Sequence, residues 1–261
     1  MTGQLDGQVA VVTASSRGMG RAIAEAFLAE GARVVISGRS TESGAQALAE
    51  IGAADRAIEI ACDARDQSQV EALIDGAVAH FGRLDVLVNS AGGSDGFAPV
   101  HELSDAAWTN AMDFILNSAF WASRRALPPM LARGGGRIIN ISSIEGKLGN
   151  KANIAHYITA KHAMNGLTKA IAFEYGRRGI TCNAICPGAV ETAAFAENGR
   201  AYAEGAGMTY SDFIEMYSSE SSIGRLNTVQ EVAALAVLLA GPAGGGFNGA
   251  LLNVDGGTSP Y

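Results

Sequence analysis

At 261 residues and 26.8 kDa, with 48% hydrophobic and 17% charged residues, the chain has enough apolar material for a substantial core, and a disordered polymer is excluded. A formal net charge of -7, a pI near 5.1 and the lack of any lysine or arginine block exclude a nucleic-acid partner, since a polyphosphate is held by a concentrated basic surface. Residues 1–6 are polar and the apolar run Val9–Val12 is too short for a signal peptide or a membrane span, so a cytoplasmic protein with no membrane partner is expected.

Along the chain, short β-branched apolar runs alternate with longer alanine-rich ones. Strands are predicted at residues 8–14, 33–38, 57–62, 84–91, 136–143, 180–188 and 250–257, and helices at 19–30, 41–51, 67–81, 104–132, 153–178 and 229–240. The strands are continuously apolar instead of alternating, the pattern of strands buried on both faces. The β-α alternation therefore predicts an α/β fold, a doubly wound parallel sheet of about seven strands flanked by helices, in a single domain spanning residues 1–261. The string RALPPM at 125–130 reads as a helix terminus.

Residues 189–228 stand outside this rhythm and carry Phe195, Tyr202, Met208, Tyr210, Phe213, Met216 and Tyr217. They read either as two core-packed helices or as a helical lid over an apolar substrate. Their place after a strand's carboxyl end favours the lid, because ligands of open α/β sheets bind at that edge. Cys62, Cys182 and Cys186 have no paired spacing and read as buried free thiols, with no metal site and no disulfide.

After the first strand comes TASSRGMG, residues 13–20. A strand that turns through small residues into a helix presents backbone N–H groups and a helix N-terminus, where a pyrophosphate is stabilised. Gly18 and Gly20 allow close approach of backbone to phosphate and of helix to strand. A Rossmann-type dinucleotide site has an acidic residue ending its second strand, to accept the ribose 2'-hydroxyl. Here that strand ends VVISGRS, with Arg39 in place of the acid. A guanidinium clamps a 2'-phosphate instead, and Arg17 offers a second cation, so NADP(H) is expected over NAD(H), with NAD(H) still open. A bare βα turn and a solvated Arg39 are the bland readings of the same residues.

Further on, AHYITAKHAMNG (155–166) places Tyr157 and Lys161 four positions apart on one helical face. Alone, such a pair is common in helices that catalyse nothing. Together with its neighbours it resembles the short-chain dehydrogenase/reductase family, in particular 3-oxoacyl reductases, over essentially the whole chain. The motifs fall in family order: TASSRGMG (13–20), CDA (62–64), NSAG (89–92), ILNSAF (115–120), INISS (139–143), YITAK (157–161), NAICPGAVET (183–192) and VDGG (254–257).

The resemblance implies a catalytic group of Asn117, Ser143, Tyr157 and Lys161. It implies cofactor contacts from Thr13, Ser15, Ser16, Arg17, Gly18, Met19 and Gly20, from Arg39, and from Asp63 at the adenine. Asn89, Ala91 and Gly92 would lie under the cofactor, and Pro187, Gly188, Val190 and Thr192 near the nicotinamide carboxamide, with Tyr157 and Lys161 touching the cofactor as well. A homo-oligomer, tetramer or dimer, is implied too, through helices 104–132 and 153–178 and the C-terminal segment. Three positions depart from the family pattern. Ala14 replaces its first glycine, Ser90 its second asparagine, and Ser143 precedes Tyr157 by one residue more than usual, with Ser142 as the less favoured alternative.

These residue types suit the interconversion of a secondary alcohol and a ketone. Such a reaction needs a hydride at carbon and a proton at oxygen. A free tyrosine titrates near about 10, and a neighbouring ammonium from Lys161 is expected to lower that value. Tyr157 then serves as general acid and base, Ser143 stabilises the charge on oxygen, and Asn117 holds a water that links Lys161 to solvent, a role resting on the resemblance alone. His156 is expected to face away from Tyr157, and His80, His101 and His162 to be packing or surface residues. Ser94–Phe97, Glu145–Lys147 and Asn150 occupy strand-end loops, either as substrate contacts or as plain connectors. Reduction of a 3-oxoacyl thioester, an NAD-dependent alcohol dehydrogenase, an isomerase or dehydratase, and a cofactor binder without turnover are the rival readings.

Overall fold

Each of the seven apolar runs forms a strand, and alternate residues of all but the last strand feed two apolar layers. A computed structural model describes residues 3–53, 55–93 and 95–259. The strands are β1 (Val9–Val12), β2 (Arg33–Ile36), β3 (Ala57–Glu59), β4 (Val86–Asn89), β5 (Gly136–Ile141), β6 (Ile180–Pro187) and β7 (Leu251–Val254). They form one sheet in the order β3-β2-β1-β4-β5-β6-β7, every pairing parallel. Strand order reverses between β1 and β4, which opens a crevice at their carboxyl ends.

The helices are α1 (Gly18–Ala29), α2 (Thr41–Ile51), α3 (Gln67–Phe81), α4 (Asp105–Ala111), α5 (Ser118–Ala132), α6 (Ala155–Tyr175), α7 (Ala193–Ala206), α8 (Tyr210–Ser219) and α9 (Val229–Ala240). On one face of the sheet Ile23 and Phe27 of α1 and Val232 of α9 pack on Val12, Ile36, Ile139 and Ile185. On the other, Leu73 and Ile74 of α3, Met130 of α5 and Ile171 of α6 pack on Val11, Leu87, Ile138 and Ile180. Fully burying one such side chain is worth roughly 1.5–3 kcal/mol, so the two layers dominate stability.

The expected strands run too far at their carboxyl ends. β1 stops at Val12, β4 at Asn89 and β5 at Ile141, leaving Thr13, Ser90 and Ser143 in loops over the crevice. Residues 104–132 are not one α-helix either: a π-helical stretch, Met112–Asn117, separates α4 from α5. RALPPM does not end the helix, since α5 continues over Pro128 and Pro129 to Ala132.

A chain of polar side chains runs through the second apolar layer. Asn89 Nδ2 donates to Asn140 Oδ1 (2.8 Å) and Ser123 Oγ (3.2 Å), and Asn140 Nδ2 donates to Thr168 Oγ1 (2.8 Å). All four are buried, and Asn89 and Asn140 are register partners in the β4–β5 pairing. The three cysteines are free and buried, and burial pushes the Cys62 and Cys182 thiols up to about 12, so neither acts as a thiolate near neutral pH.

Candidate active site

The turn between β1 and α1 is built from hydroxyls. Ser15 Oγ donates to Val12 O (2.6 Å) and accepts from Ser37 N (2.9 Å), while Ser37 Oγ accepts from Ala14 N (3.0 Å). Thr13 Oγ1 accepts from Ser90 N (3.0 Å) and Ala91 N (3.2 Å), tying this turn to the β4 loop. The brace at Ser37 was not foreseen, because only folding brings the end of β2 against residues 14–16.

Ala14, standing where the resemblance expects glycine, is held at φ +50°, in the left-handed region that suits glycine. Gly18 is at φ +61°, and a Cβ on Gly20 would lie 2.8 Å from Ala14 O, so that close approach needs a glycine. Met19 packs its side chain against the first apolar layer and offers only its backbone to the turn.

Helix α1 starts at Arg17 with no side-chain cap and no acidic residue in its first turn, whereas Ser40, Asp66 and Thr228 cap α2, α3 and α9. Its orphan N–H groups therefore suit a pyrophosphate, and the residues present fit a dinucleotide. Arg39 is exposed just past β2 and makes no ion pair among the described residues. Arg17, in the turn itself, is exposed as well. Its guanidinium lies 3.9 Å from Glu197 of α7, across the mouth of the groove. Asp63 accepts from Arg65 N (3.0 Å) beyond β3.

The loop after β6 closes the other side. Gly188 N donates to Val254 O (3.0 Å), Val190 is buried and bridges to Asn227, and Thr192 Oγ1 accepts from Phe195 N (3.0 Å) as the cap of α7. A Cβ on Gly18 would lie 3.9 Å from the Thr192 methyl, so this segment rests on the phosphate turn. Pro187 ends β6 at the same edge.

Ser143, Tyr157 and Lys161 converge above β5. Ser143 sits just past the strand beside Tyr157, and its hydroxyl accepts from Glu145 N (3.1 Å). Ser142 Oγ donates instead to Lys161 O (3.4 Å). Lys161 is only 3% exposed, and its Nζ donates to Ile141 O (2.7 Å) while lying 5.6 Å from the Tyr157 ring centroid. A Cβ on Gly92 would lie 3.0 Å from that Nζ, so the NSAG loop roofs the lysine. Asn117 closes the π-helical stretch, but its Nδ2 donates to Asp113 Oδ1 (2.7 Å), one turn back on its own helix.

The electrostatics of the pair run against expectation. Burial pushes the Tyr157 phenol above its ordinary value; the Ser143 hydrogen bond pulls it down, and the Glu145 charge adds to the rise. Lys161 is itself driven down to about 8 by burial. The expected lowering of Tyr157 by a lysine ammonium is therefore corrected for the protein alone. The ammonium is spent on Ile141 O, and desolvation dominates both groups.

The aromatic residues of 189–228 also differ from expectation. Phe213 is buried, with Phe195 at 5.3 Å, Tyr202 at 5.8 Å, Tyr210 at 6.1 Å and Tyr217 at 5.0 Å between ring centroids. They pack α7 and α8 on each other, so they are not a set of rings aimed at substrate. His156 is fully buried and faces away from Tyr157 as expected, with its Nε2 2.9 Å from Asp95 O. Of the loop candidates, Ser94 lies outside the described residues, Lys147 Nζ donates to Asn253 Oδ1 (2.8 Å), and Glu145 is buried.

A dinucleotide cradle opening onto a tyrosine and a buried lysine at the switch point of a parallel sheet defines a Rossmann-type oxidoreductase. Known proteins place the chain more narrowly. Residues 8–203 match the family model described as short chain dehydrogenase. A 3beta-hydroxysteroid dehydrogenase 2 of Eggerthella lenta is 36% identical over 98% of this chain and 96% of its own length, and a putative ketoacyl reductase of Streptomyces coelicolor is 36% identical over 98% of each. Among solved structures, a variant of actinorhodin polyketide ketoreductase with NADPH superposes with a TM-score of 0.92 at 36% identity, covering all of both chains. The chain belongs to the short-chain dehydrogenase/reductase family, and it is an NAD(P)-dependent oxidoreductase acting on CH–OH groups and the corresponding ketones.

Proposed function

We propose that the protein is an NADP(H)-dependent reductase of ketones, working reversibly on secondary alcohols, with Tyr157 as general acid and base. The grouping of Ser143 and buried Lys161 around Tyr157, with Nζ 5.6 Å from the ring centroid, carries this reading. A bound nicotinamide supplies the hydride, and the chain's own residues manage the oxygen. Ser143, beside Tyr157, donates to the substrate oxygen as charge grows there. Tyr157, held protonated by burial, enters the reduction in the form that can give a proton. Lys161 stands behind it, and release of Nζ from Ile141 O would turn the ammonium toward the phenol and the cofactor ribose. Asn117 is assigned the water that connects Lys161 to solvent; its bond to Asp113 leaves the amide oxygen free for that water.

Preference for NADP(H) rests on exposed Arg39 beyond β2 and on the likeness to a ketoreductase solved with NADPH. The cofactor contacts are assigned to Thr13, residues 15–20, Arg39, Asp63, Asn89, Ala91, Gly92, Tyr157, Lys161, Pro187, Gly188, Val190 and Thr192, in one domain with residues 189–228 as its lid. A homo-oligomer is inferred from Phe120 of α5 and Phe173 of α6, the latter 91% exposed. Relatives named ketoacyl reductases favour a 3-oxoacyl thioester as the second substrate reading.

The test follows absorbance of the reduced nicotinamide with NADPH and NADH in parallel, against cyclic, aryl and acyl-thioester ketones. Wild type is expected to oxidise NADPH faster than NADH, and Tyr157→Phe to lose about a hundred-fold or more. Tight cofactor binding with no ketone or alcohol turned over would refute the redox reading.

A further inference from the structure

Next to the tyrosine of the site stands a buried ring that the reaction does not use. His156 is fully buried in the first turn of α6, one residue before Tyr157. Its Nε2 lies 2.9 Å from Asp95 O, and a carbonyl only accepts, so Nε2 carries the proton and Nδ1 of the neutral ring is a bare acceptor. That Nδ1 is sealed from solvent with no hydrogen-bond partner among the described residues. A phenylalanine would fill the same space without stranding a nitrogen, so what the histidine adds at this position is its one bond to Asp95.

That bond docks the start of α6 on the loop after β4. Ala98 N of the same loop donates to Asn153 O (3.1 Å), and Asn153 is at φ +66°, a left-handed turn that asparagine tolerates. Helix α6 has no side-chain cap at Ile154 and no acidic residue in its first turn, so the turn that carries Tyr157 leans on the loop. The loop is held in its turn by α4. Asn110 Nδ2 donates to Asp95 Oδ1 (2.9 Å), and a Cβ on Gly96 would lie 2.7 Å from the Ala107 Cβ. Beyond α4, Arg65 Nε donates to Asn110 Oδ1 (2.5 Å), its guanidinium lies 4.3 Å over the Phe114 ring, and its Nη1 reaches Asp63 Oδ1 at 3.4 Å. The links run unbroken from Asp63 to the turn of Tyr157.

We propose that His156 is a positioning residue for Tyr157, and that the brace of Arg65, Asn110, Asp95 and His156 makes the setting of the phenol answer to the adenine end of the cofactor. The proposal rests on the ketone-reductase reading above and on its assignment of Asp63 to the adenine. The Arg65 and Asp63 side chains keep 30% and 40% of their surface in water. A base laid against them removes that water, and charge-assisted bonds strengthen as water leaves. The added hold passes along Asn110 and Asp95 to His156, so the first turn of α6 loses freedom when hydride and proton have to be aligned. Such coupling is reciprocal, so loosening His156 also weakens the grip on the adenine end.

Hydrogen exchange of residues 154–165, followed by mass spectrometry, reads the coupling without any turnover. The probes are adenosine 2',5'-bisphosphate and AMP, which fill the adenine end alone. In wild type one of them should slow exchange there by about five-fold or more. In His156→Phe, and in Arg65→Met, whose thioether packs on Phe114 but makes no bond, the protection should be lost. The kinetic arm measures kcat at saturating NADPH and the KM of cyclohexanone. His156→Phe should lower kcat by about ten- to a hundred-fold with KM little changed, and His156→Gln, whose amide N–H still reaches the carbonyl, should regain most of it. Arg65→Met should lower kcat too, and the double variant no further than His156→Phe alone, since both cut one chain. Protection by neither nucleotide, equal protection in wild type and variants, or effects that multiply in the double variant overturn the proposal. A purely structural histidine would lower Tm and rate in both His156 variants and leave the nucleotide protection intact. If wild type reduces no ketone, the redox reading is the part in trouble, and the exchange measurement alone decides.

Discussion

Replacing Lys161 with methionine should make the protein inactive and more stable. The lysine's ordinary value is 10.5 and burial drives it to about 8. At about 1.4 kcal/mol per decade of proton affinity, holding the ammonium inside costs about 3 kcal/mol near neutral pH. Methionine fills a similar volume without charge but loses the bond to Ile141 O, worth about 1 kcal/mol. The net gain is then about 2 kcal/mol, or a rise in Tm of about 4–8 °C. Below its folded value the lysine is charged in both states and the full penalty applies. Between about 8 and 10.5 the unfolded chain binds the extra proton, so wild-type stability climbs with pH and the variant's advantage shrinks. Urea unfolding of the cofactor-free proteins, followed by circular dichroism near pH 7 and near pH 10, reads both effects. A Lys161→Met protein less stable than wild type near pH 7, or an advantage that does not change with pH, would refute the reasoning.

Ala14→Gly should relieve the left-handed strain, about 1 kcal/mol, against a smaller entropic loss, for a net gain of about 0.5 kcal/mol in chemical denaturation. Gly92→Ala puts a methyl 3.0 Å from Lys161 Nζ, and kcat should fall by about ten- to a hundred-fold with the fold retained by circular dichroism. Arg39→Glu should cut the NADPH over NADH ratio of kcat/KM by about a hundred-fold; an unchanged ratio would move the phosphate contact elsewhere. Glu231 is held down to about 2 by Arg225 and by the Thr228 N–H of its capping box. Its contribution is present above the ordinary 4.5 and is lost as pH falls toward 2, so the small Tm deficit of Glu231→Gln seen near pH 7 should close across that interval.

The sheet was legible because its strands are apolar on both faces, and the two layers built on Val11 and Val12 follow from strand geometry alone. Strand ends were overshot because a parallel strand and the small-residue loop after it share their composition; Thr13 and Ser143 differ from strand residues only in what they face. The π-helical stretch at Met112–Asn117 left no trace, since apolar periodicity over six residues does not separate one helical pitch from another. Tyr157, Lys161 and Ser143 were readable as motifs, but the direction of their proton affinities was not. That depends on Ile141 O and on burial, which spacing does not reveal. The Arg17 to Glu197 contact joins residues far apart in the chain, and the aromatic residues around Phe213 satisfy one another.

The polar chain through Asn89 and Asn140 bears on how the sheet finds its alignment. The two asparagines sit opposite each other across β4 and β5, and sliding one strand by a single residue would turn one amide out of this layer and strand the other among Leu87 and Ile138. The penalty for a mispaired intermediate exceeds the reward of the correct one, because an amide abandoned in hydrocarbon loses water and gains nothing. Asn140 thus acts as an indexing pin during folding, and exchanging it for leucine should leave the finished sheet standing while letting wrongly aligned chains linger and aggregate on the way.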